Sequence, residues 1–282
     1  MFIFLQKLLP KKTLSFSLGV LSRLALGPVT NLMIRLYIYV YGVDMSDAKI
    51  KTLSGYRTFN EFFTRELTNN ARPQPIDKKK ISSPVDGTIS QCGHIKLKML
   101  LQAKGSNYSL KDLLGDDQLV ELFTNGTYHT IYLAPHNYHR IHMPSDGSAC
   151  FLHYYPGQLF SVNKKTVEGI NNLFCINERA SIVYKSDTGY FAIVMVGALN
   201  VGSIEINTHF KQQFTNRPTT SLSAHASHRL KGEKISRGTE LGRFNMGSTV
   251  IFLTSKNFAS WDDFDSDNTS TCVGAELGGT LL

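Results

Sequence analysis

The chain has 282 residues, 42% of them hydrophobic and 18% charged, which is too apolar for a disordered chain and enough for one large domain or two small ones. Its four cysteines, Cys92, Cys150, Cys175 and Cys272, form no CxxC pair, so they suggest neither a zinc site of the usual spacing nor a disulfide framework, and point to a reducing compartment. Residues 1–80 hold 13 of the 30 Lys+Arg but only 5 of the 22 Asp+Glu, so the whole excess of +8 is N-terminal; being mixed with Leu, Phe, Ile and Tyr, it suits an anionic membrane surface better than nucleic acid.

Residues 13–43 are apolar enough to resemble a membrane span, but Arg23, Pro28 and Arg35 interrupt them. The longest uncharged run, LALGPVTNLMI, is 11 residues, short of the ~18 that a spanning helix needs. No small-residue cleavage site follows a compact apolar core, which argues against a signal peptide. The pattern predicts two short helices, about 13–26 and 30–41, divided at Gly27-Pro28, with Thr30 or Asn31 available to cap the second. Leu14, Leu18 and Leu21, continued by Ala25, share one helical face. On a membrane surface Lys11, Lys12, Arg23 and Arg35 would meet lipid phosphates; the alternative is that these helices pack on the protein's own core or on a second subunit. Thr58 and Glu61 have capping-box spacing, so a third helix is expected to carry Phe59, Phe62, Phe63 and Leu67 and to end at ARPQP, 71–75.

Beyond residue 80 the pattern changes. VDGTIS, GTYHTIYLA, YFAIVMVGA, VGSIEI, TELGRF and STVIFLT are short, rich in β-branched and aromatic residues, and divided by Gly, Pro, Asn and Asp. The expected fold class is therefore α+β: N-terminal membrane-facing helices over residues 1–75, followed by a mostly antiparallel β-rich core over 76–282. The Asp-rich tail after Trp261 reads as an exposed or mobile end.

Three places could carry chemistry. His136, His139 and His142 follow the strand-like run ending at Ala134; on a helical turn His139 and His142 would share a face, and in an extended chain they would oppose one another. Two nearby imidazoles could bind metal, act as acid and base, or satisfy loop hydrogen bonds. No HExxH pattern is present, and neither Asp86 nor Asp146 is demanded as a ligand by spacing, so no metal is expected. Ser248 follows Gly247 between two strand-like runs, in a place that reads as a tight, open bend; there is no GxSxG elbow, and Gly-Ser-Thr is also an ordinary turn. Asp86, in SPVDG, reads as a turn residue when taken alone. Beside His142 and Ser248 it would complete a nucleophile, base and orienter set.

Taken together, FNEFFTREL (59–67), ARPQPID, SPVDG, YHRIHMP, PGQLFSVN (156–163), VGALNVGSIE (196–205) and GTELGRFNMGST resemble the phosphatidylserine decarboxylases, in order and over most of the chain. That family usually shows Leu-Gly-Ser-Thr where this chain has Met246 before Gly247; Met and Leu are alike in volume and polarity, so only a local packing effect is expected. The resemblance implies that the precursor cuts itself between Gly247 and Ser248, giving a β chain of residues 1–247 and an α chain of residues 248–282. Ser248 would become a covalent pyruvoyl group, so neither PLP nor metal is expected. It implies His142, supported by Asp86, as the base for self-cleavage, and His139 as the group that assists decarboxylation and returns the proton. The implied substrate is phosphatidylserine, held through a Schiff base and released as phosphatidylethanolamine and CO2. The implied setting is the cytoplasmic face of the bacterial inner membrane, the protein peripheral, its β–α heterodimer pairing further. Two readings from other classes compete: a lipid-binding module in which Asp86, His139 and His142 are structural, and a serine hydrolase in which Ser248 persists as serine.

Overall fold

The computed structural model describes residues 3, 6, 8–103, 105–199, 203–206, 212–214, 226–230, 232, 234–245, 247–261 and 268–281. Among them the centre is one antiparallel sheet. Strand Ser248–Thr254 lies in its middle, paired on one side with Gly189–Gly197 and on the other with Thr127–Leu133. Outward from Gly189–Gly197 come Arg179–Ser186, Gly147–Tyr155 and Ala226–Arg229, with Lys234–Ile235 also on Gly147–Tyr155; outward from Thr127–Leu133 come Gly87–His94 and Thr269–Thr271. The six runs expected as strands all contain one. Gly147–Tyr155 and Arg179–Ser186 were not among those expectations; both are apolar runs that carry charged or His residues within them.

Alternation along the central strand sorts its side chains onto two faces, each with its own core. Val250 and Phe252 join Leu133, Ile193 and Met195 on one face, covered by a second sheet in which Arg140–His142 pairs with Glu240–Phe244, then Ile204–Ile206 and Gln212–Phe214. Ile251 and Leu253 join Val194 and Val196 on the other, covered by the short helices Leu110–Leu114, Asp117–Phe123 and Leu173–Ile176. A sheet packed on both faces explains why Ser248–Thr254 is buried along its whole length and reads as a continuous apolar run.

The N-terminal region has its own small core of Ile34, Val43, Tyr56, Phe59, Phe62 and Phe63. Its second helix starts at Pro28, two residues before the expected cap, because proline is pre-set for the first helical position; Thr30 Oγ1 accepts instead from the Leu26 N–H. Thr58 caps helix Phe59–Phe63 as expected, accepting from the Glu61 N–H at 3.1 Å. The returning bond goes one residue further, from the Arg57 N–H to Glu61 Oε2. That helix stops at Phe63 and not at ARPQP: Leu67 is already extended and bridges Ala48.

The first helix, Lys11–Ser22, turns a small and polar stripe inward. Lys11, Ser15, Gly19 and Ser22 are buried, while Leu14, Phe16, Val20 and Leu21 are exposed, as are Val29, Leu32, Leu36 and Val40 around the second helix. Two of the four cations expected to face lipid phosphates are engaged by the protein. Lys11 Nζ donates to the Gln6 carbonyl and lies over the Phe160 ring, and Arg23 donates to the Gly19 carbonyl and Ser203 Oγ. No described helix is long and apolar enough to cross a membrane. The Asp-rich stretch 262–267 lies outside the described residues.

Candidate active site

Ser248 is the first residue of the central strand, opposite Leu133 and Gly197. It is fully buried, and its Oγ has no hydrogen-bond partner among the described residues. A buried hydroxyl left unpaired costs roughly 1–3 kcal/mol, so this one adds nothing to stability. Gly247 precedes the strand, and a Cβ there would meet nothing within 4 Å, which agrees with the open bend expected from sequence. Met246 is outside the described residues. Asn245, just upstream, is held by two side chains: it accepts from Asn60 Nδ2 and donates to Ser203 Oγ, which also accepts from Arg23. A polar chain thus runs from the N-terminal helices to the segment before Ser248, and the sequence reading did not find it.

His136 lies in a turn and the run then enters strand Arg140–His142, so its members separate. His136 is exposed. His139 is fully buried, its ring 4.2 Å from that of Phe63, and the Phe244 N–H donates to its carbonyl. Its Nδ1 faces the Asn137 carbonyl at 2.8 Å; because a carbonyl only accepts, Nδ1 carries the proton and Nε2 is a bare lone pair. That Nε2 is buried and without a partner among the described residues. Burial lowers the His139 pKa to about 3, which keeps the ring neutral at pH 7.

His142 ends strand Arg140–His142, opposite Glu240. The same argument places its proton on Nδ1, 2.8 Å from the Gly238 carbonyl, and leaves Nε2 accepting from the Tyr138 hydroxyl at 3.1 Å. Its pKa is lowered, chiefly by burial, so it too is a neutral imidazole. Its backbone N–H donates to the Pro84 carbonyl, which brings the strand against the SPVDG turn. A Cβ on Gly87 would collide with the Tyr132 carbonyl, so that turn enters the sheet on glycine.

Asp86 does not hydrogen-bond to His142. Its carboxylate accepts from Arg72 Nε at 3.0 and 3.1 Å, from Arg72 Nη2 at 2.6 Å, and from the Val273 N–H at 2.8 Å. Arg72 also reaches Asp47 at 2.9 Å, and its pKa is raised most by the hydrogen bond to Asp86. The sequence reading passed over this arginine because it sits in the Pro-rich link ARPQP. Arg72, Tyr138, Arg140, His142 and Glu240 line a polar cleft of about 420 Å³. Asp86 and His142 therefore belong to one neighbourhood through charge and backbone, whereas Asp86, His142 and Ser248 are not joined by a chain of hydrogen bonds. Two of the buried polar atoms without a partner among the described residues, Ser248 Oγ and His139 Nε2, lie on the chain segments that meet at Phe244 and His139. Among the described residues no group of three or more His, Cys, Asp or Glu side chains is arranged to hold a metal ion.

Comparison with known proteins adds a finding of a different kind. Residues 59–279 match the family model described as phosphatidylserine decarboxylase, and residues 1–42 match one described as PSD. The chain is 42% identical over 279 residues to a phosphatidylserine decarboxylase proenzyme of Coxiella burnetii (strain RSA 331 / Henzerling II), covering 99% of this chain and 98% of the relative. It is 42% identical over 255 residues to the protein of that name from Alcanivorax borkumensis, covering 90% and 87%. It is 44% identical over 249 residues to that from Herminiimonas arsenicoxydans, covering 88% and 83%.

Proposed function

The chain belongs to the phosphatidylserine decarboxylase family, and from that premise we propose that it is a self-cutting enzyme that decarboxylates phosphatidylserine with a pyruvoyl group made from its own Ser248. The observation that carries the proposal is the buried, unpartnered Ser248 Oγ at the head of the central strand, directly after Gly247.

In the first step Ser248 Oγ attacks the Gly247 carbonyl carbon, the peptide C–N bond breaks, and an ester forms while the hydroxyl proton passes to the freed nitrogen. A serine hydroxyl needs a base for this. His142 is the proposed base: burial keeps it neutral, its Nδ1–H is fixed by the Gly238 carbonyl, and Asp86 stands close enough to favour its protonated form electrostatically. To act, Nε2 must exchange the Tyr138 hydroxyl for the serine. Loss of the Ser248 Cα proton then expels the Gly247 carboxylate, and hydrolysis of the remaining nitrogen releases ammonia.

A pyruvoyl carbonyl at residue 248 supplies an electron sink for the charge left when CO2 departs. The residues present fit such a group: Ser248 is fully buried, and His139 offers a neutral Nε2, unpartnered among the described residues, that can hold and return a proton in buried surroundings. The exposed apolar side chains of residues 14–41 fit a membrane surface as the source of substrate, more through burial of Leu, Val and Phe than through Lys11 and Arg23. On this reading the protein is peripheral, and the β chain 1–247 stays with the α chain 248–282.

Intact-mass measurement under denaturing conditions tests the cut. Two chains meeting at Gly247/Ser248, the shorter one lighter by the change from serine to pyruvoyl, are expected from the native sequence, and one uncut, inactive chain from Ser248→Ala. A Ser248→Ala protein that still decarboxylates phosphatidylserine would refute the mechanism.

A further inference from the structure

We infer that the cavity on the Thr249 face of the central strand is the subsite for the phosphodiester of the substrate head group, with Lys164 as its cation; this rests on the function proposed above. Ser248 shares its face of the strand with Val250 and Phe252, so the head group of a substrate joined there must either stay on that face or pass the strand end to the other. One face is closed: Leu133, Ile141, Phe244 and Val250 are packed there, each fully buried. The other opens beside Thr249 into a cavity of about 290 Å³, lined also by Thr88, Gln91, Tyr132, Lys164 and Glu168.

Two observations, independent of one another, mark this cavity as made for a polar ligand. Thr249 is 1% exposed, and its Oγ1 has no hydrogen-bond partner among the described residues, so a buried donor lines the cavity one residue from the reacting position. Lys164 also lines it, exposed and in no ion pair among the described residues, and is the one cation among the described residues that lines the cavity. Glu168 shares the rim. Four bonds, about 5 Å, separate the serine nitrogen from phosphorus, little more than the about 3.8 Å between adjacent Cα atoms of the strand.

The chemistry selects the phosphodiester and not the carboxylate for this cation. The carboxylate must lose its charge as CO2, so a cation fixed on it would stabilise the ground state and slow the step. The phosphodiester keeps its charge throughout, and lysine binds it as a point charge.

The test uses the full, self-cut protein with a short-chain phosphatidylserine below its micelle concentration, so that no vesicle surface is present to attract lysine nonspecifically. Lys164→Gln should raise KM about tenfold while kcat changes less than twofold and the cut at Gly247/Ser248 remains complete by mass. Lys164→Arg should restore KM to within about threefold of the native value, which a merely structural lysine would not require. Unchanged KM in Lys164→Gln, beside an active native enzyme, would overturn this subsite and leave the decarboxylase reading standing. A native enzyme that neither cuts itself nor releases CO2 would overturn both.

Discussion

Arg72→Ala should be among the most damaging single truncations outside the hydrophobic cores, and its cost follows from what it leaves behind. Asp86 is 8% exposed at its side chain and takes three of its four hydrogen bonds from Arg72. Removing one partner of a buried pair costs about 3–5 kcal/mol. Arg72 is 21% exposed and lines an open cleft, so water reaches part of the vacated space and the expected loss falls to about 2–3 kcal/mol. The Asp47 end, half exposed, adds little. Urea unfolding at pH 7 should be measured on Ser248→Ala protein, which keeps one chain throughout. Arg72→Lys should recover less than half of the loss, because lysine cannot reproduce the two-pronged grip. A double-mutant cycle with Asp86→Asn should give a coupling of about 1–3 kcal/mol. A loss below about 0.5 kcal/mol, the level of an ordinary surface change, would show that the pair is solvated and the reasoning wrong.

Other outcomes follow from the same geometry. Tyr138→Phe removes the hydroxyl that occupies His142 Nε2, and time-resolved gels of the precursor should show self-cleavage at least as fast as in the native chain; a tenfold slowing would mean that Tyr138 is itself part of the base. His139 has its pKa lowered to about 3 by burial, so the unfolded chain binds its proton more readily and stability is lost as pH falls from about 6.5 toward about 3. Unfolding midpoints of Ser248→Ala protein should therefore drop from pH 7 to pH 4 more steeply than those of Ser248→Ala/His139→Gln protein, and equal slopes would show that the ring is solvated. Replacing Leu32, Leu36 and Val40 together by Ser should weaken binding to phosphatidylserine vesicles by about 3 kcal/mol, roughly a hundredfold, if each partly inserted side chain contributes about 1 kcal/mol. Unchanged sedimentation with vesicles would assign that face to a protein partner.

The strands were legible because β-branched and aromatic runs broken by Gly and Asn have few other folded outcomes, and the Thr58 cap because its chemistry is local. The fate of the histidines was not. A spacing of three is compatible with a shared or an opposed arrangement until the backbone is known to be extended, and then His139 goes to Phe63 and His142 to Tyr138 and Gly238. The pairing of Arg72 with Asp86 was hidden for another reason: it joins a linker to a turn, where no periodicity carries information. The first helix misled in a third way. Ser15, Gly19 and Ser22 form its inward stripe because small residues allow close approach, so the eye drawn to Leu14 and Leu21 selects the outward face.

The position of Ser248 has one more implication. From Ser248 to Thr254 every residue is registered against both neighbouring strands, and Glu276–Thr280 is paired with Lys80–Ser82. A nick ahead of Ser248 would break the chain at the margin of the sheet and leave all of that pairing in place. The two polypeptides would then behave as one thermodynamic unit: indifferent to dilution, closed to exchange with fragments from other molecules, and separable only by unfolding the whole. The modification would thus be made once and kept for the life of the molecule.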